Sequence, residues 1–246
     1  MDDFSRFILY AILLPKEYAW AHIQALQTVF LKYGCPLRYY VDQDSIFRFV
    51  KGRDYYRFKE HYKQTDDTTP QWRHVLNDCN VNVTFALSPQ AKGKIERPYG
   101  WLQDRLVRTC VRENVIDVNH GNRVLTREIH RYNYKQVHST TEEVPHYRLQ
   151  RAFQENLSLF RPFVIPHPFQ SVKDIFCLRT TRTFDAYRKI SLNNLPIKVK
   201  NAVPREQIEL RIYPLTKTIS EVRFWSNDKL IDVQKIRIPA MQSVHF

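Results

Sequence analysis

Glycine is nearly missing from this chain, at 5 in 246 residues. A Gly-rich loop of the kind that cradles nucleotide phosphates cannot be written from so few, and no nucleotide cofactor is expected. Long apolar runs are absent as well. None approaches the roughly 20 residues that span a bilayer, and Met1-Asp2-Asp3-Phe4 lacks the basic-then-apolar layout of a signal peptide. A soluble, cytoplasmic protein with no membrane partner is the expectation. Cysteine is sparse: Cys35, Cys79, Cys110 and Cys177 stand singly, with no CxxC and no paired histidine spacing, so neither a disulfide framework nor a zinc site is encoded locally. Acidic residues are in deficit too, 25 against 38 Lys and Arg, leaving a net charge of +13. A surplus of that size suits a polyanionic partner.

What is present is a core-forming composition, 43% hydrophobic, arranged in two textures. In the first, strands and helices alternate, which predicts an α/β layer fold. Asp2-Asp3-Phe4-Ser5-Arg6 reads as a turn, and Phe7 to Leu14 as a strand buried on both faces. Ala19, Ile23, Leu26, Phe30 and Tyr33 step at helical spacing, and Gly34 with Pro36 supplies a stop. Leu37 to Val41 is a short strand delivering Asp42 at its C-terminal end, where open α/β sheets place their ligands. Pro70 opens a helix with Trp72, Val75, Leu76 and Cys79 as its buried face, and Val81 to Leu87 is another strand. Ser88 to Gly93 reads as a loop, followed by a helix with Ile95, Tyr99, Leu102 and Leu106 as its apolar stripe. Starting that helix near Glu96 keeps Pro98 out of its interior, where it costs about 3 kcal/mol. It also sets Glu96 at the positive end of the helix dipole. A further helix is predicted over about Leu125 to Tyr134. After a proline-rich stretch from Arg161 to Pro168, the second texture is short alternating strands, with apolar pairs such as Ile190 and Leu192, Ile208 and Leu210, Val222 and Phe224, and Ile231 and Val233. That predicts a small all-β barrel or sandwich.

Asp42 and Glu96 are the sharpest chemical pair. Two carboxylates converging on one point repel unless a cation neutralises them or they share a proton, so such pairs commonly hold Mg2+. Lys92, Lys94 and Arg97 surround Glu96, with Arg105, Arg108 and Arg112 beyond, a setting suited to phosphate backbones beside a metal. The aromatics Tyr55, Tyr56, Phe58, Tyr62 and Trp72 read more readily as core than as base-stacking platforms. In the second texture, 8 basic residues from Lys173 to Arg205, Lys198 and Lys200 among them, face 2 acidic ones.

Several ordered motifs carry a family resemblance. They are Asp2-Asp3-Phe4-Ser5-Arg6, Tyr33-Gly34-Cys35-Pro36, Val41-Asp42-Gln43-Asp44-Ser45-Ile46-Phe47, Ser88-Pro89-Gln90-Ala91-Lys92-Gly93-Lys94-Ile95-Glu96-Arg97, and Tyr132-Asn133 leading to His138-Ser139-Thr140 and Pro145. In this order, residues 2 to about 150 resemble the catalytic core of DDE transposases and retroviral-type integrases, particularly those of bacterial insertion sequences. The resemblance implies a ribonuclease H-like mixed sheet with flanking helices over residues 1–150, a linker over 151–170 and a small β-barrel DNA-binding-like domain over 171–246.

It further implies that Asp42 and Glu96 match the second and third acids of the triad, both binding Mg2+ or Mn2+, with Asp44 a neighbour and no ligand. Lys92 and Lys94 would match basic residues facing DNA, joined as DNA contacts by Arg97, Arg105, Lys198 and Lys200. His138 is the histidine of the family pattern, expected to support the fold or contact DNA. The first acid of the family lies on a strand before the Asp2-Asp3 turn, so the expectation is an amino-terminally truncated form. The implied partners are double-stranded DNA, at transposon ends and target, and further copies of the chain on that DNA, with nucleoid association when DNA-bound. The implied reaction is DNA strand cleavage and transfer by metal-dependent phosphoryl transfer. The alternative is a catalytically inert DNA-binding remnant that associates with a full-length transposase.

Overall fold

A computed structural model describes residues 1–41, 69–86, 89–192 and 195–237, with the side chains of 89–94 excepted. The chain is a mixed α/β protein whose described residues form two compact units. Of the described residues, the first contains 1–17, 28–41, 82–86 and 89–162, and the second 18–27, 69–81, 163–192 and 195–237. Helix α1, Ala19–Tyr33, contributes to both. Among the described residues, no helix is long and apolar enough to cross a membrane.

In the first unit, strands β1 (Arg38–Val41) and β2 (Asn82–Phe85) pair in parallel, Arg38 opposite Asn82 and Val41 opposite Phe85. The predicted stop of α1 is realised by Gly34 at φ +95°, whose amide donates to the Phe30 carbonyl. A Cβ there would lie 2.4 Å from the Arg161 carbonyl oxygen. Only glycine meets both demands, and Cys35 bridges Arg161 directly afterwards.

Helices α3 (Pro89–Arg112), α4 (Val118–Lys135) and α5 (Pro145–Gln154) complete this unit. Helix α4 packs against both of the others, and Asp117 caps it by accepting from the His120 amide. Ile8, Leu102, Leu125 and Tyr132 form a core cluster, with Leu13, Trp101, Leu106 and Ile129 packed on it. Helix α5 runs past residue 151, where the linker was expected to begin.

Two expectations are corrected here. Residues 7–14 form no regular strand and are not buried on both faces, Ala11 and Ile12 being exposed. The segment is instead clasped to α4 by two asparagine side chains. Asn133 Oδ1 accepts from the Ile8 amide and its Nδ2 donates to the Ile8 carbonyl, at 2.9 and 3.0 Å. Asn122 does the same for Leu13, at 2.8 and 3.0 Å. In a regular strand, residues an odd number apart present their amide and carbonyl to opposite edges. Ile8 and Leu13 are five apart yet both face α4, so the backbone twists out of regular pairing between them. The second correction concerns α3, which begins at Pro89 and not near Glu96, leaving Pro98 inside the helix. Pro89 has the fixed φ that suits a first helical turn, and the buried Pro98 gains packing against the loss of one backbone hydrogen bond.

The second unit holds α2 (Gln71–Asp78), the single turn α6 (Val172–Ile175) and two antiparallel sheets. Trp72, Val75 and Leu76 are the buried face of α2, with Cys79 behind them, so Trp72 is core. Strands β3 (Leu178–Thr183), β6 (Gln207–Pro214), β7 (Ile219–Ser226) and β8 (Lys229–Arg237) form one sheet in the order β3-β6-β7-β8. Strands β4 (Lys189–Leu192) and β5 (Leu195–Lys198) form the other.

The expected alternation holds for β4, where Ile190 and Leu192 are buried between exposed residues. It fails for β7, in which every residue from Ser220 to Trp225 is buried. The reason is Asp174, 0% exposed. Its carboxylate accepts from Arg223 Nε and Nη2, Trp225 Nε1 and the amides of Gln170 and Ser171, and Ser171 and Asp174 form a capping box on α6. A buried charge is tolerable when donors surround it. Here those donors require the polar face of β7 to be covered as well.

The clasp yields a graded outcome. Asn133→Ala leaves the buried Ile8 amide and carbonyl unpaired and is expected to cost about 2–4 kcal/mol. Asn122→Ala, at a half-buried position, should cost about 1–2 kcal/mol. Urea unfolding of the two variants checks the order and the magnitudes.

Candidate functional site

The parallel pairing puts the C-terminal ends of β1 and β2 on one sheet edge. The Ala86 amide donates to the Val41 carbonyl at 2.8 Å, and α3 opens at Pro89 directly after β2. Asp42 follows Val41 in sequence, and α3 carries Glu96. That edge is where ligands gather in open α/β sheets. Asp42 itself lies outside the described residues, as do Asp44 and the aromatics Tyr55, Tyr56, Phe58 and Tyr62.

Glu96 is exposed on the third turn of α3. A helix start at Pro89 removes it from the dipole's positive end, which acts within the first turn. Among the described residues no group of three His, Cys, Asp or Glu side chains is placed to hold a metal ion. The donors that Asp42 and Glu96 would supply are hard carboxylate oxygens, chemically suited to Mg2+ or Mn2+.

The surrounding cations divide into two kinds. Arg105 is drawn inward: its Nε donates to Glu128 of α4 at 2.9 Å, Thr109 Oγ1 donates to the other Glu128 oxygen at 3.3 Å, and its guanidinium lies 5.6 Å from the Trp101 ring centroid. Arg108 pairs with Asp104 one turn away at 2.7 Å. Arg112 approaches Glu113, which Arg127 also engages with both oxygens at 2.6 Å. Arg97 is exposed and donates to Thr140 Oγ1 at 3.4 Å. Lys92 and Lys94 lie in the first two turns of α3. In the second unit Lys198 and Lys200 are exposed, and Lys198 sits directly opposite Lys189 across the β4–β5 pair. Like charges facing each other across a ladder are unfavourable by themselves and favour an anion.

The sequence reading missed two features of this region. Arg6 and Arg148 stand near His138, and burial first, then the charges of Arg6, Arg97 and Arg148, hold the His138 pKa below the ordinary histidine value. Burial also pushes the Tyr132 hydroxyl up to about 12. No spacing in the sequence signals this grouping, because Arg6, Arg97 and Arg148 come from three distant segments.

Comparison with known proteins follows the same direction as the motifs. The chain is 30% identical over 133 residues to a protein of Sinorhizobium fredii named as a transposase, y4bF, and 27% identical over 133 residues to the transposase for insertion sequence IS1202 of Streptococcus pneumoniae. Each match covers 54% of this chain and 27% of the relative's own length. A chain from the cryo-EM structure of a simian T-cell lymphotropic virus intasome in complex with PP2A regulatory subunit B56 gamma aligns at TM-score 0.40 and 13% identity, covering 93% of this chain and 67% of that one. No family model matches the sequence. The resemblance to transposases drawn from the ordered motifs is thereby borne out.

The two classes of arginine on α3 separate in a stability measurement. Arg105→Ala strands the Glu128 carboxylate, whose side chain is 10% exposed, and should cost about 1–3 kcal/mol. Arg108→Ala, removing an exposed pair, should cost about 0–0.5 kcal/mol by the same urea assay.

Proposed function

We propose that this chain acts on DNA as part of a transposase, with Asp42 and Glu96 as two of the carboxylates that hold Mg2+ or Mn2+ for phosphoryl transfer. The reading is supported by the order of the chain, Asp42 next in sequence after β1 and Glu96 on the helix after β2, the strand that pairs in parallel with β1, and by a likeness over half of the chain to transposases. A ribonuclease H-like arrangement of the first unit and a DNA-binding, barrel-like role for the second belong to the same reading.

The metal's contribution, when bound, is to activate the attacking oxygen and stabilise the leaving one. The chain's own residues do the rest. Asp42 and Glu96 hold the cation, while Lys92, Lys94 and Arg97 on α3 and Lys198 and Lys200 on the second unit neutralise DNA phosphates and set the register of the duplex. Arg105 contributes by fixing α3 against α4 through Glu128, whatever it also offers to DNA. Further copies of the chain on the same DNA complete the proposed assembly.

A second reading has its own support. The exposed cations Arg97, Lys198 and Lys200 also suit a chain that binds DNA without cutting it, in association with a full-length transposase.

One assay separates the two. The first reading expects Mg2+-dependent nicking of terminal-repeat DNA, lost by at least about 100-fold in Asp42→Asn and in Glu96→Gln. Salt-sensitive DNA binding that persists in both variants, with no nicking by the unaltered chain, establishes the second.

A further inference from the structure

The face of α4 turned away from the core is written in one sign of charge. Arg123, Arg127, Arg131 and Lys135 recur along it every four residues, all exposed. Like charges at that spacing repel and weaken a helix by about 0.2–0.5 kcal/mol per pair. The single acid of α4, Glu128, is buried against Arg105 and Thr109. Arg127 is answered by Glu113, and Arg123 stands in the field of Asp117, the N-cap. Among the described residues, Arg131 and Lys135 have no carboxylate within ion-pair distance. The helix dipole favours a cation in the last turn, but it gives no reason for a whole face without an acid.

Beside this half of the cation row runs a row of rings. His130 and Tyr134, one turn apart on α4, stack with centroids 4.7 Å apart and planes at 24°. Tyr134 meets His146 of α5 at 4.5 Å, and His146 meets Tyr147 at 5.6 Å. Phe7, 3% exposed, anchors the row, edge-on to Tyr134 at 5.8 Å and tilted against His146 at 6.5 Å. The row nonetheless stays at the surface, with His130 exposed, Tyr134 39% exposed and Tyr147 63%. Burying an aromatic ring is a large stabilising term, and these rings forgo much of it. No Asp or Glu occurs in residues 129–141 or 144–154, the stretches that carry them. Of the two acids between those stretches, Glu142 is exposed and Glu143 is held by Arg151 at 2.9 Å and Arg148 at 3.9 Å.

Cations beside exposed ring faces match an unpaired nucleic acid strand, the cations meeting its phosphates and the rings stacking on its bases. A duplex keeps its base faces inside its own stack and could use the cations alone. We propose that His130, Tyr134, His146 and Tyr147, with Arg131 and Lys135, form a binding surface for an unpaired DNA strand. That the occupant is DNA rests on the reading proposed above; that it is unpaired rests on the rings. Every base has a π-face, so the surface is indifferent to sequence. It uses neither Asp42 nor Glu96 and therefore holds a strand without metal. The mutual stacking of the rings on Phe7 fixes them before the strand arrives, which lowers the cost of binding.

The test uses the full chain in EDTA, with fluorescence anisotropy on an oligothymidine strand and on a duplex of equal length. Tyr147→Ala is expected to weaken single-strand binding about tenfold and duplex binding less than about twofold. Tyr147→Phe keeps the ring and should bind as the unaltered chain does. Arg131→Gln combined with Lys135→Gln should reduce the salt slope of single-strand binding by about 1.4, at about 0.7 for each phosphate contact. All three positions are exposed, so thermal midpoints should stay unchanged, and the two kinds of variant give independent readouts. Single-strand affinity and salt slope that ignore both Tyr147→Ala and the double variant would overturn the surface, even where the chain still binds duplex. Equal losses on single strand and duplex would overturn the unpaired occupant. Self-association lost in sedimentation, with oligothymidine binding unmoved, would assign this face to a second copy of the chain and overturn the proposal as well. Failure to bind either nucleic acid would overturn the DNA reading and this surface together, whereas absence of Mg2+-dependent nicking touches the proposed reaction alone.

Discussion

The first unit depends on the two-point clasp between asparagine side chains of α4 and the backbone of residues 7–14. Ile8 and Leu13 are five residues apart, which in extended chain is about 16.5 Å. Asn122 and Asn133 are 11 apart, three helical turns, and 11 residues of helix also rise about 16.5 Å. Eleven residues return to nearly the same helix face, so the two amides meet the two backbone groups in step and in antiparallel sense. Gly121 sharpens the fit, since a Cβ there would come within 3.1 Å of Leu13. Helix α4 in turn packs against α3, which carries Glu96 and Arg97, and against α5.

Charge in this protein is more internal than its composition suggests. Many arginines are consumed by the fold. Arg105 serves Glu128, Arg127 serves Glu113, and in the second unit Arg223 serves Asp174 and Glu221, while Arg179 and Arg211 converge on Asp78. Arg211 also lies 4.3 Å from the Phe169 ring centroid and 5.3 Å from that of Trp225, and donates to the Asp174 carbonyl. The buried ones among these pairs purchase a defined geometry more than net stability. The cations left to meet a polyanion are fewer and better placed, among them Arg97 and the facing Lys189 and Lys198.

Elements with one periodic face were legible. The stripe Ile23, Leu26 and Phe30 is buried as its spacing requires, as are Trp72, Val75 and Leu76 on α2 and Ile208, Leu210 and Ile212 on β6. Failures have specific causes. Ile95 and Tyr99 are exposed, while Leu102 is buried and Trp101 and Leu106 pack on the core cluster, so the later part of the stripe faces the core. Val233, expected to face inward, is exposed, and β3 was missed because Leu178 is the only large apolar residue in Leu178–Thr183. A run of eight apolar residues was taken for a strand, although hydrophobicity alone does not say which backbone groups will pair.

The sequence by itself carried the likeness to transposases, through ordered short motifs, and the places where helices and most strands form, through spacing. It also determined the glycine at position 34, where local conformation leaves no other choice. Tertiary structure alone decided which polar side chains are spent on the fold and which remain for a ligand. Whether Arg105 or Arg97 faces outward and whether Asn133 is a core linchpin both depend on contacts between residues tens to more than a hundred positions apart. Those contacts arise from packing geometry, which periodicity within a single segment does not contain.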